Sequence, residues 1–367
     1  MSGFSLRNLH VKFGRNELLR GIDLDVAAGE TLVLFGPSGC GKTVLLRCIA
    51  GLEPAARGHV LIDGADVSTR GPEARGVGMA FQNFALYPHM SARDNIASPL
   101  QARGASPADV AARVEKVAAL LKIGHVLGHM PKELSNGQKQ RTALARALVG
   151  QPKVLLLDDP LRNVDAKLRY EMRLELPRLL RAAGAATIYV SQDYREAMAL
   201  GDRVAILLDG RIAQSGTPEE IYDTPASVKV AKLFGDPPIN LIPCRPTDAG
   251  NVLHVAVAGL QLNVRADRAA IGRACLLGLR PEHIAIHAEP RPNAARAEIL
   301  ATTPLHERLV VLLRAATGEE IVASVLGGTP ASGDPVWLTA DASAALLFDA
   351  ETGARLATPP APTEIAA

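Results

Sequence analysis

The chain has 367 residues, of which 48% are hydrophobic and 21% charged, a globular composition long enough for two or three domains at roughly 100–200 residues each. Its 40 Lys and Arg against 38 Asp and Glu leave a formal net charge of +2, which argues against a dedicated nucleic-acid binder. The longest stretch free of Asp, Glu, Lys and Arg, residues 76–92, contains Gln82, Asn83, Pro88 and His89, so it falls short of the roughly 20 apolar residues a membrane-spanning helix needs.

The first ten residues reach Arg7 and His10 before any apolar run, and no secretory leader is expected. Residues 1–235 then alternate short apolar runs with amphipathic helical patterns, the signature of an α/β domain. TLVLF (31–35) and VLLL (154–157) are near-continuous apolar runs, which predict strands buried on both faces of a sheet. Residues 187–190 and 204–208 read the same way. About 108–122 and 138–149 read as helices, placing a mostly helical insertion near 85–150. GDPPINLIPCRP (235–246) carries four prolines and reads as a linker. Alternating segments at 252–257, 260–264 and 284–286 predict a small all-β domain over 236–352. The tail 353–367, rich in Ala, Pro and Thr, is expected to be disordered. Four cysteines without C-x-x-C spacing imply no disulfide framework and point to a reducing, cytoplasmic setting.

The strongest local signal is GPSGCGKT: Gly36, Pro37, Ser38, Gly39, Cys40, Gly41, Lys42 and Thr43. It fits G-x-x-x-x-G-K-[ST] directly after a strand and before a helix, the context a phosphate-binding loop requires. The glycines let backbone N–H groups turn toward phosphates, and the helix N-terminus adds a favourable dipole. Lys42 would reach the β- and γ-phosphates of a nucleotide and Thr43 would ligate Mg²⁺. Asp158 and Asp159 end the second apolar strand, where open α/β sheets bind ligands. Alone, such a pair is either a helix N-terminal charge pair or a catalytic pair. Beside a phosphate loop, one carboxylate suits Mg²⁺ and the other suits orienting water. Ser135 and Gln138 form an S-x-x-Q capping box. That helix N-terminus is either a plain cap or a phosphate contact, and the residues leave both readings open.

Together these motifs resemble the ATP-binding cassette (ABC) family of transporter ATPases over most of the first 235 residues. The resemblance implies a RecA-like P-loop core with a helical subdomain, which binds ATP with Mg²⁺. It makes Gln82 a nucleotide and metal contact, Ser135, Asn136, Gly137 and Gln138 a signature, Asp165 a further nucleotide-site residue, and Phe13 an adenine stack, with core packing as the alternative for Phe13. Segments 209–227, 234–242 and 278–284 resemble the maltose-type branch that energises carbohydrate and polyol import, whose C-terminal domain is OB-fold-like. Implied partners are a second cassette, identical or paralogous, integral-membrane permease subunits and an extracytoplasmic solute-binding protein. The implied place is peripheral, on the cytoplasmic face of the inner membrane. Phe81, Phe84 and Tyr87 fall where the family docks a cytoplasmic helix of the permease, a role expected of Tyr87 at least, with core packing as the alternative.

Three positions depart from the family pattern. Asp159 stands where a Glu usually polarises the attacking water, Gln192 replaces the switch histidine, and Asn136 replaces a glycine. Asp is one methylene shorter, and misplacement by about 1 Å can cost on the order of 10²-fold in rate. Gln cannot carry a proton. Asn tolerates positive φ better than most residues, which would keep a close backbone approach at 136. Binding is therefore expected to outlast catalysis. Two functions follow: an ATPase driving import, with Asp159, Gln192 and Lys42 catalytic, or a mainly ATP-binding regulatory partner of an active paralogue.

Overall fold

The computed structural model describes residues 3–305, 307–327 and 335–356. It divides into two compact units, Met1–Glu219 and Glu220–Ala367.

The first unit opens with a hairpin, β1 (Gly3–Phe13) and β2 (Asn16–Ala27), which the apolar-run pattern did not reveal. β3 (Thr31–Phe35) and α1 (Lys42–Ala50) follow. Then β4 (Arg57–Ile62) and β5 (Ala65–Asp66) complete an antiparallel sheet in the order β2-β1-β4-β5. β6 (Val77–Ala80) leads into a helical insertion of α2 (Ala92–Ala102), α3 (Pro107–Leu120) and α4 (Asn136–Leu148). Each of these helices starts on a serine whose side chain accepts a hydrogen bond from the backbone three residues on: Ser91, Ser106 and Ser135. Such caps contribute about 1 kcal/mol apiece.

The chain continues through β7 (Val154–Asp158), α5 (Ala166–Ala183), β8 (Ala186–Ser191), α6 (Tyr194–Leu200), β9 (Arg203–Leu208) and β10 (Arg211–Gly216). The second sheet has the order β10-β9-β3-β8-β7-β6, parallel apart from the edge strand β10. Every residue of β3, β7 and β8 is buried, which is why their sequences read as unbroken apolar runs. β8 lies between β3 and β7, with Phe35 opposite Ser191 and Asp158 opposite Val190. The carboxyl ends of three strands therefore converge, as open parallel sheets require of a ligand site. Leu45, Leu46 and Ile49 of α1 share one apolar core with Leu6 of β1 and Leu32 of β3, which fixes the helix beneath that convergence.

α7 (Pro218–Asp223) spans the division, and α8 (Val228–Leu233) belongs to the second unit. The strands there are β11 (Asn240–Cys244), β12 (Thr247–Asp248), β13 (Leu253–Val257), β14 (Leu260–Val264), β15 (Cys275–Leu279) and β16 (Ile284–His287). They continue with β17 (Ala295–Leu305), β18 (Arg308–Ala315), β19 (Glu320–Leu326), β20 (Pro335–Ala340) and β21 (Leu346–Asp349). The sheets run β11-β15-β21, β12-β13-β14 and β16-β20-β17-β18-β19. Residues 240–244 are thus a strand, not part of a linker. Pro243 is tolerated because β11 is an edge strand, where a missing N–H breaks no ladder bond on the open side. Residues 353–356, expected to begin a disordered tail, are tied down: Arg355 N donates to Ala226 O and Leu356 N to Leu347 O. Residues 357–367 lie outside the described residues. Among those described, no helix is long and apolar enough to cross a membrane.

Arg280, 2% exposed, holds this unit's entry. Its guanidinium donates to Phe234 O at 2.6 Å and to Tyr222 O, and lies 3.4 Å from the Tyr222 ring centroid. Hydrogen bonds from a charged donor contribute about 1.5–3 kcal/mol each, so Arg280→Met is expected to destabilise the unit by about 2–4 kcal/mol. Trp337, the chain's single tryptophan, sits in β20, so denaturant titration of its fluorescence reads this unit. An unchanged midpoint would show that the clasp carries no stability.

Candidate nucleotide site

The phosphate loop bridges β3 and α1. Gly36 is compulsory on space alone, since a Cβ there would meet Leu207 O at 2.4 Å. Gly41 caps α1 at φ 109°, a left-handed conformation that favours glycine. The loop borders a cavity of about 250 Å³ lined by Ser38, Gly39, Gly41, Lys42, Thr43, Gln82, Asp158, Asp159 and Gln192, with Leu18, Val190 and Arg162. The fold therefore gathers the loop, both strand-end aspartates, Gln82 and the switch glutamine in one place.

Lys42 is 5% exposed. Its ammonium donates to Gly36 O at 2.7 Å and Pro37 O at 2.8 Å, closing the loop on itself; burial pushes its pKa down. Thr43 Oγ1 donates to Asp158 Oδ1 at 3.1 Å, and burial pushes the Asp158 carboxyl up. Asp159 has φ 45°, in the left-handed region that Asp and Asn tolerate best after glycine. Its backbone N donates to Val190 O at 3.1 Å, and Gln192 Nε2 reaches its Oδ2 at 3.5 Å. Burial first, and the Glu196 carboxylate second, raise the Asp159 pKa to about 6.

Glu196, 2% exposed, braces this wall. It accepts from Tyr189 Oη at 3.0 Å and Ser191 Oγ at 2.8 Å, and Ser191 Oγ in turn accepts from Asp193 N at 3.0 Å. The buried carboxylate therefore holds Ser191 directly and Asp193 through Ser191, the two residues that flank Gln192. Neither Glu196 nor Arg162 carries a sequence signal of its own.

Other expected site residues lie elsewhere. Phe13 ends β1 at 48% exposed, so core packing does not explain it. Ser135 and Gln138 form the reciprocal capping box at 3.3 and 2.9 Å, Gly137 packs against Leu168, and Asp165 caps α5 by accepting from Leu168 N at 2.9 Å. None of these lines the cavity. Asn136 opens α4 and is absent from the positive-φ positions, so the tolerance of Asn for left-handed backbone is not called on there. Tyr87 is 46% exposed and lines a groove of about 630 Å³ with Phe81 and Arg146. The Arg146 guanidinium lies 5.4 Å from the Tyr87 ring centroid.

A phosphate loop at a parallel-sheet edge, facing two buried aspartates and an amide, defines a nucleotide-binding ATPase of the P-loop class. Comparison with known proteins narrows this. The ABC transporter family matches residues 19–162, the MalK OB fold domain 235–284 and the TOBE domain 277–348. The sn-glycerol-3-phosphate import ATP-binding protein UgpC of Cereibacter sphaeroides is 42% identical over 358 residues, covering 97% of this chain and 100% of that protein. The protein of that name from Salmonella typhimurium is 41% identical over 362 residues, with the same coverage of 97% and 100%. A solved dimer of the ATP-binding cassette MJ0796, in a post-hydrolysis state with ADP and Pi, is 29% identical with a TM-score of 0.52, over 59% of this chain and 98% of that one. The chain belongs to the ABC transporter ATPases, in the maltose-type importer branch with its C-terminal OB-like domain. These matches favour the hydrolysing subunit over the regulatory partner, and nothing in them marks the motifs as degenerate.

Proposed function

We propose that this chain hydrolyses ATP to drive import of sn-glycerol-3-phosphate, or a related sugar or polyol, through separate permease subunits, from the cytoplasmic face of the membrane. The observation that carries the reading is the cavity that joins Lys42, Thr43, Asp158, Asp159, Gln82 and Gln192; the importer relatives matched along their full length supply the solute class. An extracytoplasmic solute-binding protein would deliver the solute, and the permease helix would seat in the Tyr87 groove.

In this reading Lys42 exchanges the carbonyls of Gly36 and Pro37 for the β- and γ-phosphate oxygens, and the loop amides hold the rest of the triphosphate. Thr43 Oγ1 and Asp158 Oδ1, 3.1 Å apart, present the hard oxygen donors that Mg²⁺ takes, with the Gln82 amide on the same cavity wall. When bound, Mg²⁺ neutralises charge on the phosphates. Asp159 takes the proton of the attacking water, and Gln192 orients both Asp159 and the γ-phosphate. Phe13 stacks on the adenine. Ser135–Gln138 and Asp165 lie outside their own chain's cavity because they complete the site of a second cassette, identical or paralogous, packed against this one.

The test is uptake of labelled sn-glycerol-3-phosphate by cells in which this chain is deleted and then restored. Deletion should abolish uptake, and the intact chain but not Lys42→Ala should recover it. Unchanged sn-glycerol-3-phosphate uptake beside lost uptake of another solute would overturn the solute and leave the ATPase standing.

A further inference from the structure

Arg162 enters the nucleotide cavity from the turn after β7, and its backbone and its head are held very differently. Arg162 N donates to Asp159 O at 3.3 Å. The Arg169 guanidinium grips the carbonyls of Leu161, Arg162 and Val164 at 3.2, 3.3 and 3.2 Å, and Asn163 Nδ2 donates to Gln82 O at 2.9 Å. The main chain is thus held at 161, 162 and 164, and the Asn163 side chain ties the turn to residue 82. The guanidinium, by contrast, stands 3.7 Å from Asp159 Oδ2, beyond hydrogen-bond length, with its side chain 50% exposed where that of Asp159 is 9% exposed. A rigid base with a loosely paired cationic head is the arrangement of a group waiting for a stronger anion.

The charges facing the cavity point the same way. Its lining carries two cations, Lys42 and Arg162, against two carboxylates, Asp158 and Asp159. An anionic nucleotide entering this neutral set gains most from the cation whose present partner is weakest. Lys42 already bonds two carbonyls at the loop, so Arg162 is the more available charge at the Asp159 side, where the terminal phosphate would react. Its planar fork matches phosphate oxygens bidentately, and an arginine there opposes the charge that builds up during phosphoryl transfer.

We propose that Arg162 is a γ-phosphate ligand: when ATP binds, its guanidinium leaves Asp159 and hydrogen-bonds the terminal phosphate of its own chain's nucleotide. The same movement strips Asp159 of its cation and makes it a stronger base for the attacking water. One residue then reports the presence of the γ-phosphate.

This rests on the reading that the cavity holds ATP, and calorimetry of the full-length chain with ATP and with ADP separates the two claims. Arg162→Ala and Arg162→Gln should weaken ATP binding by about tenfold while leaving ADP affinity within about twofold, which also shows that the variants are folded; Arg162→Lys should recover part of the loss. Equal losses for ATP and ADP, or no loss for either, would overturn the proposal. Lys42→Ala should weaken both nucleotides. A wild-type chain that binds neither would overturn the underlying reading, and the proposal with it.

Discussion

Replacing Asp159 by Asn is expected to cut ATP hydrolysis by the assembled transporter about 10²–10⁴-fold, the usual contribution of a positioned general base, while ATP affinity stays within about threefold. Asn is the informative substitution. It keeps the amide contact with Gln192 and tolerates the φ of 45°, so the loop should not rearrange. With a carboxyl whose pKa is raised to about 6 in the nucleotide-free chain, wild-type kcat/KM, which reports the free enzyme, should fall as pH drops through about 6, because protonated Asp159 cannot accept a proton. The same burial has a stability cost with a definite sign. A carboxyl raised in the folded state stabilises the fold below its ordinary pKa of 3.8, and that contribution is lost as pH rises through about 6. Above pH 6 the ionised Asp159 is therefore destabilising, by up to roughly 3 kcal/mol at about 1.4 kcal/mol per unit. Asp159→Asn should accordingly be more stable than wild type at pH 8, by about 1–3 kcal/mol, and equal to it near pH 4. An active Asp159→Asn transporter would remove Asp159 from the mechanism, and a less stable one would contradict the burial argument.

The second large effect is expected at Lys42. Its ammonium is buried against two loop carbonyls, and charge-assisted bonds of this kind contribute about 1.5–3 kcal/mol each. Lys42→Ala should weaken Mg-ATP binding by about 10–10³-fold in calorimetry. Circular dichroism should be unchanged, because Leu45, Leu46 and Ile49 hold α1 independently of the lysine. Equal affinity in the two proteins would sink the assignment of residues 36–43 as the phosphate loop.

Strands buried on both faces were legible because burial erases alternation: β3, β7 and β8 read as plain apolar runs and are buried throughout. The β1–β2 hairpin was not. Its pairing shifts register between Leu6 and Leu9 and again between Val11 and Lys12, and such bulges break the period-two signal. β11 was hidden by proline, which reads as a linker until the strand is known to lie at an edge. The phosphate loop was legible because its chemistry is contiguous in sequence. Arg162 and Glu196 were not, because their roles depend on β7 and β8 being neighbours, which no local pattern encodes. Residues 135–138 were recognisable by resemblance, yet that they do not line their own chain's cavity appears only in three dimensions.

In the proposed dimer, ATP would sit between two cassettes, bound by the phosphate loop of one and by the α4 N-terminus of the other, which lies outside its own chain's cavity. Sedimentation of Asp159→Asn chains, which should hold ATP unhydrolysed, measures this directly. Monomers are expected without nucleotide and dimers with ATP. Adding Ser135→Arg, at an α4 N-terminus outside its own chain's cavity, should abolish the dimer while each monomer still binds ATP at its own loop. A Ser135→Arg chain that dimerises with ATP as before, or that loses ATP binding as a monomer, would contradict the shared site.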